Sequence, residues 1–491
     1  MQNTKTKSWG RGILYLTTFL LITLFVSCGT ETDKINDSDL SSEQSESVAD
    51  DVSKKIPDPI FKNYDLNGRS FNILVQPIGG YIVSDFEVFP EISGEPVNDA
   101  IHDRNIALEE LYNCIITPIY SSAMITDARK DILTNGNSYD AIMPALIDVN
   151  QLAGEGLLLD MNKIDALYFD MPWWSNESCK HLSIMHRLYY TLGDISIVDN
   201  NGSGALGFNK ALLQMYELES PYKCVYDNTW TFDKFYDMCR GVSRDLNGDG
   251  IMNAEDQYGL CTDYGNILGM IYAGGEKLVT KNNEDIPVPS INNPRVMGII
   301  DKVIQIYRDE TVFGQTSIFG GHEQVNLPFM NNQILFRHTS MYRFSQVRNM
   351  ESDFGFVPFP KYEETQERYY TSTSYGSPGV AIPITVSDPE ETGAVLEALA
   401  YYGRAIVLPA YYEINLKTKI TRDEDSVVML DIIFDSFTID LGYVYNFGGM
   451  REMFAQFVTK NENTFPSAYA SIEPKILSEI EKLVETFKAI S

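Results

Sequence analysis

The residue pattern best suited to chemistry runs Asp245-Leu-Asn247-Gly-Asp249-Gly250-Ile251-Met-Asn253-Ala-Glu-Asp256. Short oxygen-bearing side chains at Asp245, Asn247, Asp249 and Asn253 aim at one centre, with Gly250 at the sharp turn. Ile251 supplies a main-chain carbonyl and Asp256 a closing carboxylate. Ca²⁺ takes about six to eight oxygens, and this spacing is that of a calcium loop, with a structural role rather than a switching one. Asp in place of Glu at the last position makes bidentate ligation less assured. The alternative is a surface turn rich in Asn, Asp and Gly.

Other constellations are sparser. Gly202-Ser-Gly204-Ala-Leu-Gly207 spells GxGxxG with Asp227 downstream. A dinucleotide site needs those glycines to open a helix. Here Ala205–Asn209 reads as a strand running into a helix, so a crossing or pocket loop is the better reading. His102, His181, His186, His322 and His338 include no HExxH pair, and there is no GxSxG. Among 68 acidic residues some pair must lie close, but none is singled out as a glycosidase pair. Aromatics are more telling: Tyr81, Tyr264, Tyr375, Tyr443 and Tyr445 stand in turn-like contexts, and Trp173 and Trp174 are adjacent. Aromatic faces beside a few polar groups suit the apolar C–H faces of sugars, with core packing as the alternative.

The elements that must position these residues alternate. Phe71–Gln76, Cys114–Ile119 and Tyr139–Pro144 read as strands, with a helix over Asp99–Tyr112. Strand, helix, strand implies a parallel α/β sheet. Later helices are expected at Thr231–Val242, Asn293–Tyr307, Glu390–Tyr402 and Pro474–Ile490, and strands at Ile334–Phe336 and Phe354–Val357.

The whole chain has 491 residues and a formal net charge of −30. Such acidity argues against a nucleic-acid partner, which would require a basic surface. Apolar residues make up 44%, enough for large cores and not for a disordered acidic tail. Residues 1–27 read as an export signal, with Lys5, Lys7 and Arg11 ahead of the uncharged run Ile13–Val26. That run is shorter than the ~20 residues of a membrane span. Leu24-Phe25-Val26-Ser27-Cys28 resembles a bacterial lipobox, which implies acylation of Cys28 and anchoring in the lipid bilayer; an ordinary secretory signal is the alternative. Residues 28–58 then form a tether: Gly29–Asp58 holds nine acidic and three basic residues and is rich in Ser. Its expected reach is about 30 Å. Five cysteines remain, an odd number without CxxC spacing, which argues against a full disulfide framework or a zinc site.

Several segments taken in order resemble the sugar-type (family 1) extracellular solute-binding proteins of ABC importers, the family that includes maltose-binding protein. They are Tyr139-Asp140-Ala-Ile-Met-Pro144, Gly156-Leu-Leu-Leu-Asp160, Leu206-Gly-Phe-Asn209-Lys210-Ala-Leu-Leu213, Asn228-Thr-Trp230-Thr-Phe-Asp-Lys-Phe235, Phe354-Gly-Phe-Val-Pro358-Phe-Pro360-Lys361 and Val380-Ala-Ile-Pro383. The resemblance covers nearly all of the chain after the tether. It implies a type II periplasmic-binding-protein-like fold, α/β, with two lobes closing like a hinge. Lobe one would comprise 59–192 and 379–435, and lobe two 197–378 and 436–491. The chain would be a monomeric, non-enzymatic binding protein on the extracytoplasmic face of the cell membrane. It would deliver a small solute, a sugar or oligosaccharide, to ABC permease subunits without a catalytic cofactor. The competing readings are a surface glycan-capture or sensory lipoprotein of the same fold, and a lipoprotein glycosidase.

Family pocket positions fall on loops after strands. The resemblance implies ligand contacts from Leu146 and Asp148, from Asn200, Asn201 and Ser203, and from Asp263, Tyr264 and Asn266. His338 and Thr339, and then Tyr443 and Tyr445, complete the set. No Trp follows Ile334–Phe336, where relatives often stack a sugar, which bears on how long a sugar chain is taken.

Overall fold

The computed structural model describes residues 56–76, 92, 94–412, 423–460 and 463–490. The export signal, Cys28, the tether up to Lys55, and Tyr81 lie outside the described residues. Fourteen strands are described, in chain order: β1 (Ser70–Val75), β2 (Ile115–Tyr120), β3 (Ala141–Met143), β4 (Tyr190–Thr191), β5 (Gly204–Asn209), β6 (Tyr258–Thr262), β7 (Val279–Lys281), β8 (Pro287–Pro289), β9 (Phe313–Gln315), β10 (Ile334–Ser340), β11 (Phe354–Val357), β12 (Thr371–Ser372), β13 (Val380–Ala381) and β14 (Phe437–Thr438).

Two five-stranded sheets carry the fold, in the orders β2-β1-β3-β13-β4 and β11-β5-β10-β6-β9. In the first, β1 pairs in parallel with β2 and β3, Phe71 opposite Ile116 and Ile73 opposite Ala141. Phe71, Ile73 and Leu74 are fully buried, as a central parallel strand covered on both faces requires. The chain leaves this sheet after β4 and returns at β13, which runs antiparallel to both β3 and β4. In the second sheet β6 is parallel to β9 and β10, while β5 runs antiparallel between β10 and β11.

The flanking helices start where their caps dictate. Pro389–Tyr402 has Asp388 accepting from the Glu390 and Glu391 N–H groups at 3.1 and 3.0 Å. Pro294–Arg308 has Asn293 accepting from Val296 N–H at 2.9 Å. In both, a proline at the first helical position gives up an N–H that has no partner in the helix. Glu397, mid-helix and 1% exposed, accepts from the indoles of Trp173 and Trp174 at 2.8 and 2.7 Å and from Tyr168 N–H at 3.1 Å.

One segment differs from the sequence reading. The last helix spans Phe465–Ala489 with Pro474 inside it, not at its start. Its first turns are held by packing of Phe465 against Phe454 and Phe457, which outweighs the one hydrogen bond that proline removes. The helix Glu424–Asp435 lies against β11. Leu430 and Ile433 join the cluster of Phe354 and Phe356, and Ser426 Oγ meets Tyr222 Oη at 2.6 Å. Among the described residues no helix is long and apolar enough to cross a membrane.

Candidate functional site

The parallel register of the second sheet brings distant residues to one edge. Arg337 of β10 lies opposite Cys261 of β6, so the next residues, His338 and Thr262, are neighbours. Thr262 Oγ1 meets His338 Nδ1 at 3.1 Å and accepts from Asn266 Nδ2 at 2.7 Å. The β6–β9 register sets Thr262 against Gln315, so Asp263 and Thr316 follow side by side. Asp263 accepts from the Thr316 hydroxyl and pairs with His322 Nε2 at 2.8 Å. The carboxyl ends of parallel strands are where open α/β sheets bind ligands. Burial pushes the His338 pKa down to about 3, with His322 adding to it, so this imidazole is neutral at physiological pH. It offers hydrogen bonds without charge, edge-on to Phe359 at 4.5 Å between centroids. Asp263, Asn266 and His338 are thus brought together. Thr339 stands one residue on, opposite Ala205. Thr262, Thr316 and His322 were not among the sequence candidates. Their signal is positional: Thr262 ends β6, and Thr316 and His322 follow β9, the strand paired with it.

The other candidates take different positions. Leu146 begins the helix Leu146–Gly154 after β3, its N–H bonded to Ser377 O at 3.0 Å. Its side chain is fully buried against Gly379, where a Cβ would come within 2.8 Å of it, so Leu146 packs the core. Asp148 is half-buried in the first turn of the same helix. Ser203 is also buried, its hydroxyl given to Asp199 O at 2.6 Å. Asn200 O accepts from Ser203 N–H at 3.2 Å, closing a short turn. For Asn201 and Tyr264 only the backbone is described. The glycines of GxGxxG serve packing: a Cβ at Gly207 would strike the Phe344 ring at 2.2 Å.

Aromatic rings gather at the chain's last crossing. Tyr443 stacks flat on Tyr375, centroids 3.8 Å apart and planes at 12°, with the Arg451 guanidinium 5.2 Å over it. Tyr445 stacks on Phe447 at 5.4 Å, and burial raises its phenol pKa. Their helix, Leu441–Tyr445, is tied to the Leu146–Gly154 helix by Asn150 Nδ2 on Val444 O at 2.9 Å. All three described tryptophans are buried, Trp230 giving its N–H to Pro358 O at 2.9 Å. Tyrosine and phenylalanine are therefore the ring types gathered at this last crossing.

The Asp245–Asp256 loop follows the helix Phe232–Val242 and takes the turn its spacing implies, with Gly248 and Gly250 at positive φ. Asp245 accepts from the N–H groups of Gly248 and Gly250 at 2.7 and 2.8 Å, and Asp249 from Ile251 N–H at 2.8 Å. Asp256 is fully buried and accepts from Leu246 and Asn253 N–H at 2.9 and 2.8 Å. Each bonded carboxylate oxygen keeps a second lone pair, so the donor set fits an oxygen-loving cation in type. Among the described residues no group of three or more His, Cys, Asp or Glu converges as a metal cluster. The five described cysteines are free, and four are buried.

No protein-family model and no curated protein matches the chain. Solved structures do. An ABC substrate-binding protein of Listeria monocytogenes, in complex with cycloalternan, is similar over 86% of this chain and 99% of its own, at a TM-score of 0.50 and 11% identity. Apo RafE of Streptococcus pneumoniae gives 86% and 98%, a TM-score of 0.52 and 13% identity. The maltose/maltodextrin-binding domain MalE of Bdellovibrio bacteriovorus, bound to maltotriose, gives 86% and 99%, 0.50 and 13%. The fold is therefore the two-lobed, mixed α/β fold of MalE-like periplasmic binding proteins.

Proposed function

We propose that this chain captures a carbohydrate between its two lobes and passes it to an ABC permease. The supporting observation is the strand-end group Thr262, Asp263, Asn266 and His338, polar and fixed in direction, in a fold whose solved examples hold cycloalternan and maltotriose. Carboxylate, amide and neutral imidazole each pair with hydroxyls of set orientation. The chemistry is binding, as in those substrate-binding proteins, and needs no catalytic cofactor. The test is titration calorimetry against mono- and oligosaccharides, with peptides and polyamines alongside. A saturable sugar is expected, and Asp263→Ala weakens it by about tenfold or more, the worth of a hydrogen bond to a charged group. Heat from peptides alone would overturn the substrate class.

The reading extends to what surrounds this site. The anchor is Cys28, a monomer carries the ligand, and one structural Ca²⁺ sits in the Asp245–Asp256 loop. Cys28→Ser is expected to move the protein from the membrane pellet to the soluble fraction on cell fractionation; retention in the pellet counts against lipidation.

A further inference from the structure

The GxGxxG segment and the strand-end group meet at one ring. Leu206 of β5 lies opposite His338 of β10, and Gly204 opposite Ser340, so His338 and Gly204 share one face of the second sheet. Gly204 is the first residue of β5, reached once the chain has crossed from the first sheet to the second. The imidazole spans two neighbouring strands. Its Nδ1 lies 3.1 Å from Thr262 Oγ1 at the end of β6. Its Nε2 reaches over Gly204, where a Cβ would lie 2.9 Å from it. Gly204 is not at positive φ, so space for this ring, and not backbone freedom, calls for glycine there.

The hydrogens of this chain of contacts can be counted. Thr262 is 1% exposed, and its Oγ1 has two partners, His338 Nδ1 and, at 2.7 Å, Asn266 Nδ2. An amide nitrogen only donates, so Oγ1 accepts from Asn266. The hydroxyl's own hydrogen then goes to its other partner, which makes Nδ1 the acceptor. A neutral imidazole carries one N–H, and the bond made by one nitrogen decides which of them holds it. Here that nitrogen is Nε2. Burial keeps the ring neutral, with the charge of His322 acting in the same direction. Nε2 has no partner among the described residues, and His338 is only half-buried.

We propose that Thr262, Asn266 and Gly204 are positioning residues that hold His338 as the Nε2–H tautomer, so that the site presents a neutral donor beside the crossing. Resting on the reading of the strand-end group as the ligand site, this makes His338 a determinant of specificity. The ligand group that meets Nε2 is an acceptor, such as a hydroxyl, ring or glycosidic oxygen. It is not an ammonium, which has hydrogens to give and no lone pair. A site with a fixed donor rejects a ligand that cannot accept there.

The test is long-range proton–nitrogen correlation NMR of the full chain, isotope-labelled at the histidine nitrogens, at neutral pH and without ligand. His338→Gln identifies the His338 signals by their loss. A bare Nδ1, well downfield of a protonated Nε2, is expected. Thr262→Val removes the hydroxyl at nearly the same shape, and the Nδ1 signal is expected to move further downfield as its lone pair loses the donor. Thr262→Ser restores it, which a merely structural threonine would not do. A protonated Nδ1, as reversal of the Asn266 amide would give, overturns the proposal, and so does an Nδ1 signal unmoved in Thr262→Val. The tautomer is read without sugar, so its failure is distinguishable from failure of the carbohydrate reading. Where a sugar of the calorimetric panel binds with heat, the Nε2 proton is expected to shift; a proton that stays in place overturns the role of His338 in specificity.

Discussion

Single side chains in this protein are placed by what their neighbours leave unsatisfied. Asp249 is the clearest case with a measurable consequence. One of its oxygens accepts from Ile251 N–H at 2.8 Å, and the other lies 3.2 Å from Asn247 Nδ2. Neither contact involves a full positive charge, and each bonded oxygen keeps a lone pair that a divalent cation could take. Calcium is therefore expected to raise the melting temperature of chelator-treated protein, with Asp249→Ala abolishing the rise. A calorimetric titration without heat, together with an unchanged melt in Asp249→Ala, would dispose of the calcium reading. The loop was legible in sequence because its chemistry is local. The Asp263–Thr316–His322 contacts were not, because they arise from pairing β6 with β9, some fifty residues apart, and no window along the chain contains both.

Elements sort the same way. Phe354–Val357 is found as read, and the helices at Phe232–Val242, Pro294–Arg308 and Pro389–Tyr402 fall within a residue of their expected spans, because cap and apolar period agree there. Pro474 misled because tertiary packing outweighed a local rule. The crossing after β4 also sets a pH dependence. Asp194 lies beneath Gly403, where a Cβ would meet its carbonyl oxygen at 1.8 Å, and its carboxylate reaches Arg404 Nη1 at 3.3 Å. Burial pushes its pKa up to about 7 despite Arg404. The folded form thus holds a proton that the unfolded chain releases near pH 4. Stability falls as pH rises between those two values, at a slope of up to about 1.4 kcal/mol for each step of one in pH, and is level above them. Asp194→Asn keeps the contact and removes the titration. Urea unfolding from pH 4 to pH 8 should show a shallower pH slope in the variant; identical slopes would reject the assignment.

At the scale of the molecule, one apolar cluster runs from the first sheet to the second. It holds Ile142, Leu146 and Tyr190 together with Leu206 and Phe336, and the terminal helices through Met450 and Phe487. The two sheets are therefore joined through packed apolar side chains. If the proposed ligand binds between the two lobes, it shifts population toward a closed form by the difference in affinity between the two states. Thus the oligosaccharide whose affinity differs most between the open and closed forms should give the largest fall in radius of gyration by small-angle X-ray scattering, and the most tightly bound one the largest rise in melting temperature at a fixed concentration. At one hundred times its dissociation constant the stabilisation is about 2.7 kcal/mol. The net charge of −30 works against compaction, so the fall should grow with salt as repulsion within the acidic surface is screened. A sugar that binds with heat and stabilises the fold, yet leaves the radius of gyration unchanged at every salt concentration, would mean that the lobes hold their ligand without closing. A permease would then have to read the bound state by some feature other than shape.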